Sequence, residues 1–141
     1  MDDLNIYRND FCISTEKSKL DLTAIHHFLS TQSYWSPNIP FDTVARAAKN
    51  SLTFGIYSGK QQIGYARIIS DYATVAYLGD VYVLPEFRGQ GLSKWLMTTI
   101  MTHSELQGLR RWILLTGDAH GLYKQFGWTA IANPERWMER V

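Results

Sequence analysis

A chain of 141 residues has the length of one domain and can bury a core, so we predict a single domain over residues 1–141. An apolar fraction of 45% with 19% charged residues is typical of a folded globular protein and excludes a disordered chain. The net charge of +1 gives no electrostatic reason to expect nucleic acid or a membrane as a partner.

The single cysteine, Cys12, cannot form a disulfide within the chain, and we find neither a secretory leader nor a long apolar span. We therefore expect a cytoplasmic protein. Cys12 lies in the alternating run of residues 10–14, which predicts a strand with a packed cysteine and not a catalytic one.

The next part of the chain predicts two helices. Ser18 and Asp21 have the spacing of a capping box, and the apolar residues after them predict a helix over residues 19–31. Residues 32–40 contain two prolines and two large aromatic side chains, which indicates a loop. Asp42 can then cap a second, short helix.

Three antiparallel strands follow in the prediction. The first strand begins at Leu52, and the other two extend over residues 62–70 and 74–84. Turns at residues 58–60 and 71–73 connect the three strands.

The C-terminal part predicts a helix from Leu92, a parallel strand over residues 110–116, a short helix over residues 119–126, and one or two strands between Trp128 and Val141. Together these elements predict a mixed α/β (α+β) fold, with a mostly antiparallel central sheet flanked by about four helices.

The junction between the predicted strand ending near Leu84 and the helix from Leu92 has the features of an anion site. The first amides of a helix have no intrahelical partners and lie at the positive end of its dipole. Gly89 and Gly91 lack a Cβ and allow close approach of a ligand. The groups expected to face a diphosphate are the amides of Gln90, Gly91, Leu92 and Ser93, the Arg88 side chain and the Ser93 hydroxyl.

Two common phosphate-binding motifs do not fit this junction. A Walker loop, G-x-x-x-x-G-K-[ST], is absent, and the third glycine of a dinucleotide fingerprint is replaced by Lys94. The run from Arg88 to Ser93 resembles the R-x-x-G-x-[GA] signature of the GNAT superfamily of N-acetyltransferases, with Ser93 in place of the final Gly or Ala. Residues 122–128 (LYKQFGW) resemble the second signature of that family, L-Y-x-x-x-G-[FW].

The resemblance extends from about Asp10 onward and implies the GNAT acyl-CoA N-acyltransferase fold with acetyl-CoA (CoA) as cofactor. It implies that the Val81 amide polarises the acetyl carbonyl and that the Val83 amide holds the pantetheine chain. Gly79 is the candidate for the bulge that frees these amides. The cofactor-binding residues that the resemblance implies are Val81, Tyr82, Val83, Arg88, Gly89, Gln90, Gly91, Leu92, Ser93, Asp118 and Tyr123.

Tyr123 is the candidate catalytic acid for the leaving thiolate. Proton transfer from a phenol with a pKa of about 10 to a thiolate with a pKa of about 8.5 is uphill by about 2 kcal/mol, which is small for an active site. On the local pattern alone, Tyr123 could instead be a core tyrosine with a satisfied hydroxyl.

Asp80 is the candidate catalytic residue for the acceptor amine, because it precedes Val81. Deprotonating a lysine-like amine with a pKa of about 10.4 costs about 4.6 kcal/mol at pH 7, so a carboxylate would bind the ammonium and relay its proton through water, or act as a base with a raised pKa. The alternative is an outward-facing carboxylate paired with Arg67 or Lys94.

Other site predictions concern Asp118 and three aromatic residues. Many GNAT proteins have a cofactor-contacting asparagine where this chain has Asp118, and a helix cap is the alternative. Tyr34 and Trp35 are predicted to cover a cationic or apolar acceptor, with packing on the core as the alternative. Trp137 is predicted to line the same cleft from the C-terminal strand. The four histidines show no metal-ligand spacing, so we predict no metal site.

The sequence therefore predicts an N-acetyltransferase that moves the acetyl group of acetyl-CoA to a primary amine of a small molecule, peptide or protein. Direct attack in a ternary complex is expected because no activated Ser or Cys nucleophile is evident. The alternative is a catalytically silent CoA sensor or regulatory domain, and the presence of Tyr123 and Asp80 favours the enzyme. A homodimer is compatible with the edge strands expected near the C-terminus.

Overall fold

The computed structural model describes residues 1–141 as a six-stranded mixed sheet with four α-helices. The strand order in the sheet follows the order in the chain. The strands are β1 (Asn5–Arg8), β2 (Phe11–Ser14), β3 (Leu52–Ser58), β4 (Gln61–Ser70), β5 (Val75–Val83) and β6 (Arg111–Leu114), and the helices are α1 (Leu22–Thr31), α2 (Phe41–Lys49), α3 (Leu92–Met101) and α4 (His120–Lys124). The predicted mixed α/β fold is confirmed.

The sheet is antiparallel from β1 to β5, and β6 joins β5 in parallel through the crossover helix α3. Apolar side chains bury both of its faces. One core packs α3 side chains such as Leu96 against strand residues such as Phe54, and both are fully buried. The other packs α1 and α2 against Tyr65 of β4 and Tyr82 of β5. The strands are thus held in a layer between helices, which fixes the position of β5.

The two ends of the chain differ from the prediction. Strand β1 was not predicted; it pairs with β2 across a tight turn in which Asn9 has a φ of 55°. The strands predicted between Trp128 and Val141 are wrong, since the only regular element there is a 3-10 turn at Pro134–Arg136. Asn133 before this turn has a φ of 62°, and a proline lacks the N–H that a sheet requires, so the segment cannot continue as a strand.

The helix caps also differ from the prediction. Asp21 is the N-cap of α1, where its carboxylate accepts a hydrogen bond from the Ala24 amide at 3.0 Å, while Ser18 lies in a preceding 3-10 turn. Pro40 is the N-cap of α2, and Asp42 lies in the first turn without capping it. None of the helices combines the length and the apolar character needed to cross a membrane.

Candidate active site

The site is organised by an opening between β5 and β6. The two strands pair only over Val75–Leu78 and Arg111–Leu114, so the rest of β5 has no neighbour on that side. The cause is an extra residue in β5: the β4–β5 register changes from Tyr65 opposite Tyr82 to Arg67 opposite Gly79. A bulge of this kind bends and twists a strand away from its partner. The bulge that was predicted at Gly79 thus lies beside it, at Asp80, whose φ is 55°.

Backbone amides of β5 point into this opening. The Leu84 amide donates to the Ile63 carbonyl of β4 at 2.8 Å. Because successive amides of a strand point to opposite edges, those of Val83 and Val81 face the open edge and that of Tyr82 faces β4. The Tyr82 ring stacks on Phe28 at a centroid distance of 3.9 Å in the second core. Of the three predicted residues, Val81 and Val83 therefore face the opening, and Tyr82 supports the strand.

The loop before α3 presents a run of free amides. Gly89 and Gly91 have φ values of 82° and 78°, a left-handed backbone that glycine adopts without strain. The first helical hydrogen bond runs from the Trp95 amide to the Gly91 carbonyl, and the six amides of residues 89–94 donate to no protein acceptor. Lys94 is a site residue that the sequence reasoning missed, although its amide is the last unpartnered one of a helix that begins at Leu92. This concave run of donors suits an anion such as a diphosphate.

The Arg88 side chain connects this loop to the open edge of β5. Its Nε donates to the Val83 carbonyl at 3.0 Å, so the guanidinium lies against the end of the strand. The Leu92 side chain is buried in the first core, which leaves only its backbone for a ligand, while Ser93 is partly exposed. The structure thus brings the predicted phosphate loop and the free β5 edge to the same side of the sheet.

Two adjacent aromatic residues, Tyr34 and Trp35, cross the opening and together form what we call the aromatic bridge. Trp35 Nε1 donates to Asp80 Oδ1 at 2.9 Å on the β5 side. On the β6 side, the Tyr34 hydroxyl accepts from the Gly117 amide at 2.6 Å and donates to Asp118 Oδ1 at 3.4 Å. The side chains are 56% and 40% exposed, so they do not pack in the core as the alternative proposed.

Asp80 is held by two donors. Arg67 Nε donates to Asp80 Oδ2 at 2.6 Å, and both side chains of this ion pair are largely buried. The pairing with Arg67 that was considered as an alternative is therefore present, and the one with Lys94 is not. Since Trp35 binds the other oxygen, the carboxylate has a fixed orientation beside the Val81 amide.

Tyr123 lies on α4, on the β6 side of the opening, and is only 8% exposed. Burial, with smaller contributions from the nearby Tyr34 and Asp118, raises the pKa of Tyr123 to about 12. The hydroxyl is therefore protonated at neutral pH, as an acid requires. Asp118 does not cap α4, which corrects the alternative: the Thr116 hydroxyl accepts from the Ala119 amide at 3.0 Å instead.

Trp137 lies away from the other predicted site residues. The Arg111 guanidinium stacks on its ring at 5.1 Å, and Arg111 pairs with Val75 at the start of β5. Asp80 and the aromatic bridge lie toward the other end of that strand. The structure therefore brings together Tyr34, Trp35, Asp80, Asp118 and Tyr123, and leaves Trp137 outside this group.

A mixed sheet that opens beside a helix N-terminus, with strand amides facing the opening, defines the fold class of acyl-CoA-dependent transferases. The model of the acetyltransferase (GNAT) family matches residues 22–128. A protein of Gibberella zeae whose name assigns it provisionally to the acetyltransferases is 33% identical over 84% of this chain and 78% of its own length.

Solved structures agree with the family match. A Xanthomonas campestris pv. campestris protein described as belonging to the GNAT family is 51% identical, with a TM-score of 0.91 over 93% of this chain and 92% of that one. A Clostridium acetobutylicum structure, described as a predicted acetyltransferase with acetyl-CoA, shares the fold at 17% identity, with a TM-score of 0.69 over 93% of this chain and 94% of that one. The chain belongs to the GNAT family of acetyltransferases, whose members transfer acyl groups from acetyl-CoA.

Proposed function

We propose that this protein is an N-acetyltransferase that moves the acetyl group of acetyl-CoA to a primary amine by direct attack in a ternary complex. The observation that supports it most is that free strand amides and free helix amides meet at one opening of the sheet. These amides donate no hydrogen bond within the sheet or the helices, so the fold does not require them as donors. The one cysteine, Cys12, supports a reducing, cytoplasmic location.

The cofactor would accept hydrogen bonds from both sets of free amides, those of residues 89–94 and those at the open edge of β5. We assign its pyrophosphate to the amides of residues 89–94, and its pantetheine arm to the open edge of β5, where it would pair with the Val83 amide as an added strand does. The Val81 amide would then donate to the thioester oxygen and stabilise the negative charge that develops there. Asp118, beside Tyr34, is assigned to the same cofactor-binding edge.

Tyr123 is assigned as the acid that protonates the departing thiolate. With a pKa of about 12 for Tyr123, full transfer to a thiolate of pKa about 8.5 is uphill by about 3.5 units, or about 5 kcal/mol. This cost is larger than the about 2 kcal/mol expected for an ordinary tyrosine, because burial disfavours the phenolate. We therefore propose that the proton moves to the sulfur as the carbon–sulfur bond breaks, so that the collapse of the tetrahedral adduct to the amide drives the transfer.

Asp80 is assigned to orient the acceptor amine. Each carboxylate oxygen already accepts one hydrogen bond, from Trp35 or from Arg67, and each has a further lone pair. The carboxylate can thus accept from an ammonium and pass its proton to water. Tyr34 and Trp35 would form the wall of the acceptor site, since they lie between Asp80 and the segment that precedes Tyr123.

The test is a thiol-release assay with acetyl-CoA over a panel of amines, amino acids, polyamines and peptides, together with calorimetric titration of CoA. We expect saturable CoA binding and turnover that depends on an amine. Binding with no turnover for any acceptor would favour the sensor alternative. A calorimetric titration that shows no saturable CoA binding would contradict the assignment of acetyl-CoA as the cofactor.

A further inference from the structure

The bulge in β5 begins with an aspartate where glycine is usual. Opposite the single residue Ala66 of β4, strand β5 has two residues, Asp80 and Val81. The φ of Asp80 is 55°, and among the non-glycine residues with a positive φ it is the only one inside a strand. A left-handed first residue defines one class of β-bulge, in which that residue is usually glycine. An aspartate keeps this conformation only where its surroundings hold it there.

The ion pair between Arg67 and Asp80 is the contact that holds it. Arg67 Nε donates to Asp80 Oδ2 at 2.6 Å, and the two side chains are 19% and 10% exposed. Arg67 is itself fixed, because its backbone pairs with β3 on one side and β5 on the other. Its Nη1 also donates to the Ser51 hydroxyl at 3.3 Å. The cation therefore reaches the bulge from a strand that has a neighbour on each side.

Trp35, the other partner of Asp80, restrains the bulge less. Its indole N–H is a neutral donor, and the residue is 40% exposed in the loop between α1 and α2. Only Arg67 supplies the opposite charge, and a buried carboxylate that loses its charge partner is strongly destabilised. This cost exceeds that of one left-handed residue. Without Arg67 we therefore expect the carboxylate to turn toward water and the bulge to change its conformation.

The bulge also determines where the Val81 amide points. Val81 follows Asp80 directly, and successive amides of a strand point to opposite edges. Because a bulge changes this alternation by one residue, a change of conformation at Asp80 redirects the Val81 amide. The carboxylate that we assign to the acceptor and the amide that we assign to the thioester oxygen therefore depend on the same two-residue feature.

We propose that Arg67 is a positioning residue, which maintains the bulge through its ion pair with Asp80 and so keeps the Val81 amide directed into the opening. The inference rests on the proposed N-acetyltransferase function and adds to it a residue that acts only through Asp80 and Val81. It also gives Asp80 two separate roles. The charge of its side chain binds the acceptor amine, and the conformation of its backbone directs the amide.

The test uses two substitutions, of which the second restores what the first removes. Arg67→Met leaves the Asp80 carboxylate without its cation, so kcat and kcat/KM should fall by about 10² to 10³-fold, the usual effect of losing an oxyanion donor. In Arg67→Met/Asp80→Asn no carboxylate remains, and asparagine adopts a positive φ readily. The kcat/KM of this double variant should be about tenfold or more above that of Arg67→Met and equal to that of Asp80→Asn alone.

An infrared measurement detects the amide without an acceptor. A hydrogen bond to the thioester oxygen lowers the carbonyl stretching frequency of bound acetyl-CoA, which a carbon-13 label at the carbonyl identifies. We expect the lowered frequency in wild type, in Asp80→Asn and in the double variant, and a frequency closer to that of free acetyl-CoA in Arg67→Met. Arg46→Met is the matched control, since it removes one guanidinium group at an exposed position of α2. It should keep the wild-type kcat and frequency.

Several outcomes would overturn the proposal. One is a wild-type kcat and carbonyl frequency in Arg67→Met. Another is a double variant that is no more active than Arg67→Met, which would show that Arg67 acts by packing alone. If Arg67→Met is unfolded, the double variant should still fold, because it buries no unpaired carboxylate, and a double variant that is also unfolded contradicts the proposal. If acetyl-CoA binds but no amine reacts, the proposed function fails, and the carbonyl frequencies alone decide the role of Arg67.

Discussion

Strand β5 consists of two halves that differ in what lies beside them. Its first half, Val75–Leu78, has a strand on each side, and Ala76 and Leu78 are almost fully buried. Its second half, from Gly79 to Val83, keeps only β4 as a neighbour and begins with the bulge at Asp80. The first half stabilises the fold, and the second presents the groups that we assign to the reaction.

The difference arises from a single extra residue. The bulge redirects the strand, so that the amides beyond it no longer find a partner on β6. It also turns the Asp80 side chain toward Arg67 and Trp35. Variants in the two halves should therefore separate stability from activity.

The largest effect is expected for Tyr123→Phe, on the β6 side of the open half. Loss of the proton donor should lower kcat by about 10² to 10⁴-fold, the usual contribution of a general acid, while the acetyl-CoA Kd stays close to wild type. Thiol release and calorimetry measure the two quantities. Tyr77→Phe, in the paired half, is the matched control and should keep wild-type kcat. A Tyr123→Phe protein with wild-type turnover would refute the assignment.

Leu78→Ala tests the paired half. Leu78 is 2% exposed, so truncating it leaves a cavity and should lower the free energy of unfolding by about 2–5 kcal/mol. Urea denaturation measures this loss. At low temperature, where the variant is still folded, kcat should remain near that of wild type. A selective loss of kcat with unchanged stability would show that the two halves are not separable.

Asp80→Asn tests the residue at the boundary. Asparagine tolerates a φ of 55° and can still accept from Trp35, but it has no charge for Arg67 or for an ammonium. We expect kcat/KM for the amine to fall by about tenfold, the value of one charge-assisted hydrogen bond. The acetyl-CoA Kd should not change. Equal kcat/KM of variant and wild type over the whole pH range would exclude Asp80 from the mechanism.

Tyr65→Phe should have the smallest effect, and a favourable one. Tyr65 lies opposite Tyr82 beneath the open half, and its buried hydroxyl has no hydrogen-bond partner. Removing an unsatisfied hydroxyl should raise the free energy of unfolding by about 1 kcal/mol, measured in urea at pH 7. A decrease would mean that the hydroxyl is satisfied in solution.

Tyr65→Phe should also change how the free energy of unfolding depends on pH. Burial raises the pKa of Tyr65 above its ordinary value, so the unfolded chain releases this proton first as the pH rises. The contribution of Tyr65 to the stability of the wild-type protein is therefore complete below about pH 10 and is lost as the pH rises above it. Tyr65→Phe should lose less stability above that pH, which denaturation at pH 7 and at alkaline pH can compare.

Local sequence patterns predicted most elements of this fold. Alternation gave β2 to β5, and the glycines before Leu92 marked the start of α3. The missed strand β1 also had a local signal, because Asn9 and Asp10 form a two-residue turn between alternating runs. The strands expected after Trp128 failed because Asn133 and Pro134 were given too little weight.

The site was only partly predictable from sequence. Free amides at a helix start follow from local rules, so the loop at residues 89–94 could be identified, even to Lys94. The contacts of Trp35 with Asp80 and of Tyr34 with Gly117 join residues 45 and 83 positions apart. Only the packed sheet determines which of the many polar side chains meet across such separations.

The sheet has a consequence for biosynthesis. Each strand from β2 to β5 pairs with the one made just before it, so the strands β1 to β5 can assemble progressively as the chain leaves the ribosome. The β5–β6 pairing must wait until α3, which connects the two strands, has been made. Since Tyr123 and Asp118 follow β6, a nascent chain arrested before β6 would have a nearly complete sheet and the loop of residues 89–94. It would still lack the two side chains that we assign to proton transfer and to cofactor binding.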